Sequence, residues 1–210
     1  MNDADDQPST RMLCWLGSQP ERVDAAVVRL GADRFDAHGS STTDGWVLTY
    51  RLRTGPGWVT RSLDVTVDRA GTTRTLLLGR DDAGRWSAWR QQTDADGHQT
   101  AATLDLPALG GAVDCDLGLC PLTNSMPVLR ERLIDAAHLG EPREAALRMA
   151  WISVPDLDVS VSEQRYASGP PVDGGGAVVR FAAGAFVSHI EVDDDGLVVN
   201  YPGIGRRLRP

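Results

Sequence analysis

The sequence contains no lysine, little cysteine and no long apolar run. All 21 basic residues are arginine, which excludes Schiff-base chemistry and a lysine general base. Three cysteines, Cys14, Cys115 and Cys120, are too few for a disulfide framework, and their number is odd. No apolar segment approaches the roughly 20 residues that a membrane-spanning helix needs. These absences exclude a disulfide-stapled domain and a helical membrane protein.

The N-terminal segment MNDADDQPST has neither the basic nor the apolar region of a secretory signal. Because it is polar, acidic and contains proline, we expect residues 1–10 to be disordered. The remaining 11–210 have the length of a single β-rich domain. Without an export signal we expect a cytoplasmic protein with reduced thiols.

The net charge of -8 and the pI near 4.9 bear on the partners of the protein. A negative protein repels the phosphate backbones of nucleic acids. We therefore expect no nucleic-acid partner.

Apolar and polar residues alternate with a period of two along much of the sequence, a pattern that is typical of half-buried strands. In GWVLTYRLR, the side chains of Trp46, Leu48, Tyr50 and Leu52 fall on one face. Turn signals rich in Asp and Gly separate such segments. They are TGPG (54–57), DDAG (81–84), DADG (94–97) and DDDG (193–196). The pattern predicts a mainly β protein, a meander of antiparallel strands with few short helices.

Two segments favour helices instead. ERVDAAVVRL (21–30) has good helix formers with apolar residues three and four apart. VLRERLIDAAHL (128–139) shows the same spacing, although its first residues also alternate like a strand. Periodicity leaves helix and strand open for this second segment.

The segment DCDLGLCPLTNSMPVLR (114–130) concentrates groups that carry chemistry. Cys115 and Cys120 have four residues between them, and no second Cys/His pair lies nearby in the sequence, so we predict neither a metal nor a cofactor. Asp114 and Asp116 are two apart, so in a strand both point to one face. That face is either solvated or lines a ligand site.

Catalytic motifs are missing from the sequence. There is no GxSxG elbow and no SxxK, and the four histidines lie in no motif. This favours a binding protein over an enzyme, with an uncharacterised hydrolase or lyase as the alternative.

Arg61 falls in phase with the apolar residues Val59 and Leu63. This predicts a buried guanidinium, which needs either an internal carboxylate or a ligand as its partner. The tryptophans are predicted to be mostly core, although their rings also suit a pocket for a lipid or a sugar. They are Trp46, Trp58, Trp86, Trp89 and Trp151.

Four ordered motifs carry a family resemblance. The first is W-x-T-R at 58–61, and the second is VDCDL followed by PLTNSMPVLR (113–130). The third is AWISVPDLDVSVSEQRY (150–166), and the fourth is VDDDGLVVNYPGIGRR (192–207). Across residues 46–206 the sequence resembles a glycolipid-binding family that was formerly a bacterial domain of unknown function.

The resemblance implies a strongly bent antiparallel sheet, a half-barrel or β-roll similar to those of lipid carriers. Such carriers work outside the cytoplasm, whereas no export signal is visible here. The implied partner is an amphiphile, a glycolipid or a fatty acid, in a cavity of the bent sheet. The oligomeric state is not predicted.

The residues expected at this cavity fall into two groups. An apolar lining of Trp46, Tyr50 and Trp58 would receive an acyl chain. The polar head would contact the remaining candidates, with arginines for anionic oxygens and the others for hydroxyls. These candidates are Arg61, Asp114, Asp116, Thr123, Asn124, Arg130, Tyr166 and Tyr201.

Overall fold

The computed structural model describes residues 8–208, which form fifteen strands and two short helices. Of the segment expected to be disordered, residues 1–7 lie outside the described part, and Ser9 and Thr10 belong to the first strand. The strands of the first half are β1 (Ser9–Ser18), β2 (Glu21–Leu30), β3 (Phe35–Thr42), β4 (Val47–Thr54), β5 (Thr60–Arg69), β6 (Thr72–Arg80), β7 (Trp86–Thr93) and β8 (Gln99–Asp105).

The second half adds seven strands and both helices. In chain order these are β9 (Asp114–Leu117), α1 (Ser125–Arg130), α2 (Leu133–Leu139), β10 (Glu144–Ile152), β11 (Val159–Pro171), β12 (Ala177–Ala183), β13 (Phe186–Val192), β14 (Val198–Tyr201) and β15 (Gly205–Arg207). Short 3-10 turns occur at Pro56–Trp58, Pro107–Leu109 and Pro121–Asn124. Neither helix in residues 8–208 has the length and apolarity to cross a bilayer.

All fifteen strands belong to one curved, unclosed sheet. Each half is a meander, and the halves join where β1 pairs with β15, with Trp15 opposite Arg207. Pairing is antiparallel throughout except between β9 and β10, which are parallel. The edge strand β9 returns across the first half, where the Thr60 amide donates to the Val113 carbonyl at 3.1 Å. The predicted mainly β, bent antiparallel sheet is confirmed.

One face of the first half is buried and the other is solvated. In β4 the inward side chains are Leu48, Tyr50 and Leu52, and the residues between them are exposed, as the alternation predicts. The inward residues of β1–β7 pack against β9 and the segments around it into one large core. The concave side of this half is therefore filled by the protein itself.

Both helices pack on the second half of the sheet. Val128 of α1 and Leu133 of α2 join Tyr166, Val179 and Ile190 in a second core. Helix α2 contacts β11 and β12, and it leaves the opposite ends of these strands uncovered.

The helix predicted for 21–30 is wrong, because this segment is strand β2. Its inward residues are Arg22, Asp24, Ala26 and Val28, which alternate with more exposed ones. Two of the four inward positions are charged, so the apolar pattern loses its period of two. Pairing with β1 and β3 along the whole segment overrides its helix propensity.

The sequence allowed either a helix or a strand for the segment 128–139, and this segment is helical. The helix is interrupted at Arg132, whose φ of 52° is in the left-handed region. That break separates α1 from α2.

Candidate functional site

A cleft of about 510 Å³ lies on the concave face of the second half, at the strand ends that α2 leaves uncovered. Its floor is polar and contains Asp116, Asn124, Ser162 and Gln164. Its walls are aromatic and aliphatic, with Trp151, Val161, Phe181, Phe186, Tyr201 and Ile204. The volume falls within the roughly 300–1,000 Å³ of small-molecule sites.

Asp116 is the centre of the polar floor. Its Oδ1 accepts a hydrogen bond from Thr123 Oγ1 at 3.0 Å, and its Oδ2 accepts one from Gln164 Nε2 at 2.7 Å. Thr123 follows β9 in the turn at Pro121–Asn124, and Gln164 is on β11. The Gln164 bond joins β9 to β11 across β10, and the Thr123 bond joins β9 to the turn that follows it. Together they hold the carboxylate in one orientation.

Tyr166 forms a second layer behind this floor. It is fully buried, and its hydroxyl lies 3.0 Å from Asn124 Oδ1 and 3.1 Å from Gln164 Oε1. Asn124 Nδ2 donates in turn to the Pro121 carbonyl at 3.2 Å. The amides of the floor are thereby fixed by the protein before any ligand arrives.

Asp114, two residues before Asp116, forms a buried ion pair. Arg130 Nη1 donates to Asp114 Oδ1 at 2.6 Å, and the Asp114 side chain is completely buried. Arg130 Nε also contacts Glu131 at 3.2 Å. The side chains of Asp114 and Asp116 bond to Arg130 and Gln164, while the Cys115 Sγ accepts from Thr60 Oγ1 at 3.5 Å, so the alternation predicted for this strand is confirmed.

Aromatic rings dominate the walls of the cleft. Phe181 stacks edge to face with Phe186 at 6.0 Å and with Tyr201 at 5.9 Å between ring centroids. At the mouth, Trp151 is 37% exposed and Phe186 is 49% exposed. Phe186 extends the Phe181–Tyr201 ring cluster to the surface, and a contiguous apolar patch beside a cleft commonly marks a binding surface.

Burial changes the proton affinities around the cleft. It raises the pKa of Asp116, against the opposing hydrogen bonds from Gln164 and Thr123. It also raises the pKa of Tyr201, to which the nearby Asp116 charge contributes. The pKa of the Cys120 thiol rises to about 12, chiefly through burial and then through the Asp24 carboxylate. Tyr201 and Cys120 are therefore neutral at physiological pH.

A second, much smaller pocket of about 10 Å³ lies on the other side of the wall formed by 117–120. Asp24, Ser41 and Tyr50 line it together with Trp15 and Trp46. Its volume is close to that of one water molecule. It offers no room for an acyl chain.

The buried Arg22 ties this region to the cleft. Its Nε lies 3.0 Å from Asp24 Oδ2, and its Nη2 donates to the carbonyls of Leu119 and Ile204. Leu119 and Ile204 both line the cleft. Arg22 therefore holds two cleft walls together from within the core.

Seven of the eleven residues expected at the cavity come together. Asp116, Asn124 and Tyr201 line the cleft, Thr123 and Tyr166 bond directly to its floor, and Asp114 and Arg130 form the adjacent ion pair. The other four lie elsewhere: Trp46 and Tyr50 at the second pocket, Trp58 half-buried in a 3-10 turn, and Arg61 on the surface.

The prediction that Arg61 is buried is wrong. Its side chain is 45% exposed and pairs with Asp82. Thr60 lies opposite Thr54 and Ser62 lies opposite Arg53, so Arg61 is the extra residue of a bulge in β5. The bulge shifts the alternation by one residue and buries Thr60 in place of Arg61.

The tryptophans divide between core and surface. Trp46 and Trp86 are buried, as expected, whereas Trp58 and Trp89 are half-buried. Trp151, for which the sequence left core and pocket open, stands at the cleft mouth.

Several cleft residues are not among the predicted site residues, including Ser162, Gln164, Phe181 and Phe186. The sequence contains an indication for one of them. Gln164 shares the inward phase of β11 with Tyr166, and a glutamine in phase with a buried tyrosine needs polar partners. The others are brought together only by the curvature of the sheet.

The candidate metal ligands lie apart from the cleft. Within residues 8–208, the one grouping of three metal-ligating side chains is Asp94, Asp96 and His98 in the exposed β7–β8 turn. Asp94 Oδ1 there accepts hydrogen bonds from the amides of Asp96 and His98, which explains the cluster as a turn.

Comparisons with known proteins give a consistent result. A crystal structure of a DUF1089 family protein from Pseudomonas aeruginosa superposes with a TM-score of 0.61 at 27% identity, covering 88% of this chain and 92% of that one. No curated protein matches the chain. The family model described as "Putative glycolipid-binding" matches residues 12–207. The chain belongs to this glycolipid-binding family.

Proposed function

We propose that the protein binds an amphiphile with a sugar head group in the cleft beside Asp116. The observation that carries this proposal is the polar floor and the apolar walls that meet in one opening of about 510 Å³. The family description supports the same ligand class.

The floor suits hydroxyl groups because it offers acceptors and donors side by side. Each Asp116 oxygen accepts one protein hydrogen bond and keeps a lone pair for a ligand. Ser162 Oγ accepts from Gln164 Nε2 at 3.2 Å, which leaves its own proton to donate. A sugar hydroxyl can donate to Asp116 while a neighbouring one accepts from Ser162.

The walls suit the apolar faces of a ligand. The rings of Trp151 and Phe186 stand exposed on either side of the mouth and can pack on a sugar face or an alkyl chain. Each methylene group that leaves water there contributes about 0.8 kcal/mol. A chain lying along the mouth therefore adds affinity that the head group alone does not give.

The alkyl chain is proposed to lie in this open cleft and not between the sheet and the first core. That core is filled by protein side chains, and the cavity found within it holds about one water molecule. Trp151 and Phe186 therefore contact the alkyl chain in this proposal, in place of Tyr50 and Trp58.

The hydrolase or lyase alternative is not favoured by the groups at the cleft. Cys120 is the thiol in its wall, and a thiol whose pKa is raised to about 12 is a poor nucleophile at neutral pH. None of the four histidines, all within the described residues, lines the cleft. A nucleophile with an adjacent base is therefore not assembled there.

The test is an isothermal titration with an octyl glycoside below its critical micelle concentration. We expect saturable binding that weakens at least about tenfold in Trp151→Ala, since the ring loses its contact with the ligand. Trp89→Ala is the matched control, because Trp89 is a half-buried strand tryptophan that does not line the cleft. Absence of binding to the folded wild type, or equal weakening in both variants, would overturn the proposal.

A further inference from the structure

Resting on the proposed function, we infer that the cleft selects a head group that is uncharged and rich in hydroxyls, and that Asp116 is the residue that rejects anionic heads. The inference comes from the charges around the cleft. Among the described residues that line it, Asp116 is the one charged side chain.

Arg130, the nearest arginine of the predicted site, is not available to an anionic ligand. Arg130 donates to Asp114 at 2.6 Å and to Glu131 at 3.2 Å, and it does not line the cleft. Its Nη2 has no hydrogen-bond partner but is itself buried. Arg130 is thus committed to carboxylates of the protein, and so is Arg22 behind the cleft wall, which pairs with Asp24 and does not line the cleft.

The other arginine expected to bind an anion lies elsewhere. Arg61 is on the solvated side of β5 and pairs with Asp82. Neither arginine can therefore neutralise a phosphate or a carboxylate placed on the floor. Such a group would stand against Asp116 in a site where water screens poorly, and like charges a few ångströms apart there weaken binding on the order of 100-fold.

A cationic head fits the floor less completely than a neutral one. An ammonium group satisfies Asp116 but accepts no hydrogen bonds. The hydroxyls of Ser162 and Tyr201 at the same cleft would then face the ligand without an acceptor. A hydroxyl both donates and accepts, so a neutral polyol satisfies the carboxylate and the two hydroxyls together.

The test compares three ligands that share one alkyl chain: octyl glucoside, octyl phosphate and octylammonium, each titrated calorimetrically into the full chain below its micelle concentration. We expect the glucoside to bind on the order of 100-fold more tightly than the phosphate, and more tightly than the ammonium. In Asp116→Asn, which keeps the shape and removes the charge, the glucoside-to-phosphate ratio should fall below about tenfold. Asp156→Asn is the control, since Asp156 is an exposed partner of Arg74 outside the cleft.

The outcomes separate the two proposals. Phosphate or ammonium binding as tightly as the glucoside would overturn the charge selection and leave amphiphile binding standing. No binding of any of the three would overturn the proposed function, and the selection with it. The wild-type comparison decides the selection by itself if Asp116→Asn fails to fold.

Discussion

Gln164 Nε2 donates to Asp116 Oδ2 at 2.7 Å, across 48 positions of the chain. The same side chain presents its Oε1 to the Tyr166 hydroxyl at 3.1 Å. One glutamine therefore orients the carboxylate at the cleft floor and joins it to the fully buried tyrosine behind it. A site whose polar groups are held this way loses little entropy when a ligand binds.

Replacing Gln164 should destabilise the protein as well as the site. Gln164→Ala removes the donor to Asp116 and an acceptor of Tyr166, and a buried polar group left without its partner costs about 1–3 kcal/mol. Urea denaturation should show this loss in the free energy of unfolding. Gln99→Ala, an exposed residue on the edge strand β8, should change it by less than about 0.5 kcal/mol. Equal stability of the two variants would contradict the network.

Removing one partner of the Asp114–Arg130 pair, and not the other, should destabilise the protein. Arg130→Met leaves a completely buried carboxylate without its cation, and such losses amount to about 3–5 kcal/mol. The double variant Asp114→Asn/Arg130→Met should recover part of that loss, because no unpaired charge remains. Chemical denaturation of the two variants measures the difference. A double variant less stable than the single one would show that the pair is not the source of the effect.

The free energy of unfolding should depend on pH through the ionisation of Asp116. Burial raises its pKa in the folded state above the unfolded value of about 3.9, so the folded protein holds the proton more firmly. Its contribution therefore makes the free energy of unfolding fall as pH rises from about 4 toward the raised pKa, by at most about 1.4 kcal/mol per pH unit.

Comparison with Asp116→Asn isolates this contribution. Asp24 and Asp114, whose pKa values burial also raises, are present in both proteins and cancel in the difference. The raised pKa values of the neighbouring Tyr166 and Tyr201 lie far above this window. Denaturation curves across the acidic range should therefore give a more negative slope for the wild type. Parallel curves would mean that the pKa of Asp116 is unshifted.

Thiol reactivity should separate the three cysteines. Burial raises the pKa of Cys115, and that of Cys120 rises to about 12, so both are poor thiolates at neutral pH. Cys14 on β1 and Cys120 in the cleft wall are both half-buried, whereas Cys115 is buried. Alkylation of the native protein followed by peptide mass spectrometry should modify Cys14 first, Cys120 more slowly, and Cys115 only after denaturation. Labelling of Cys115 in the native protein as fast as Cys14 would contradict its burial.

Most strands were predictable because their inward residues are apolar and their turns carry Asp and Gly. Strand β4 follows that rule with Leu48, Tyr50 and Leu52 inward, and strands β13 and β14 lie on either side of the predicted DDDG turn. Strand β2 breaks it, since the buried pair of Arg22 and Asp24 occupies inward positions. Periodicity counts apolar residues and does not detect a charge that is buried with its partner.

The candidate site was predictable only in part. The segment 114–130 holds five of the predicted residues close together in sequence, so a short stretch of chain delivers them to one place. Trp151 and Phe186 come from distant strands and meet only through the curvature of the sheet. Arg61 was misplaced because a bulge of one residue reverses which side chains face the core.

A crystal structure of the protein with bound octyl glucoside would show whether the cleft beside Asp116 holds the ligand. We expect sugar hydroxyls within hydrogen-bond distance of Asp116 and Ser162, with the alkyl chain packed on Trp151 and Phe186. A glucoside bound elsewhere at full occupancy, with the cleft left to solvent, would contradict this expectation.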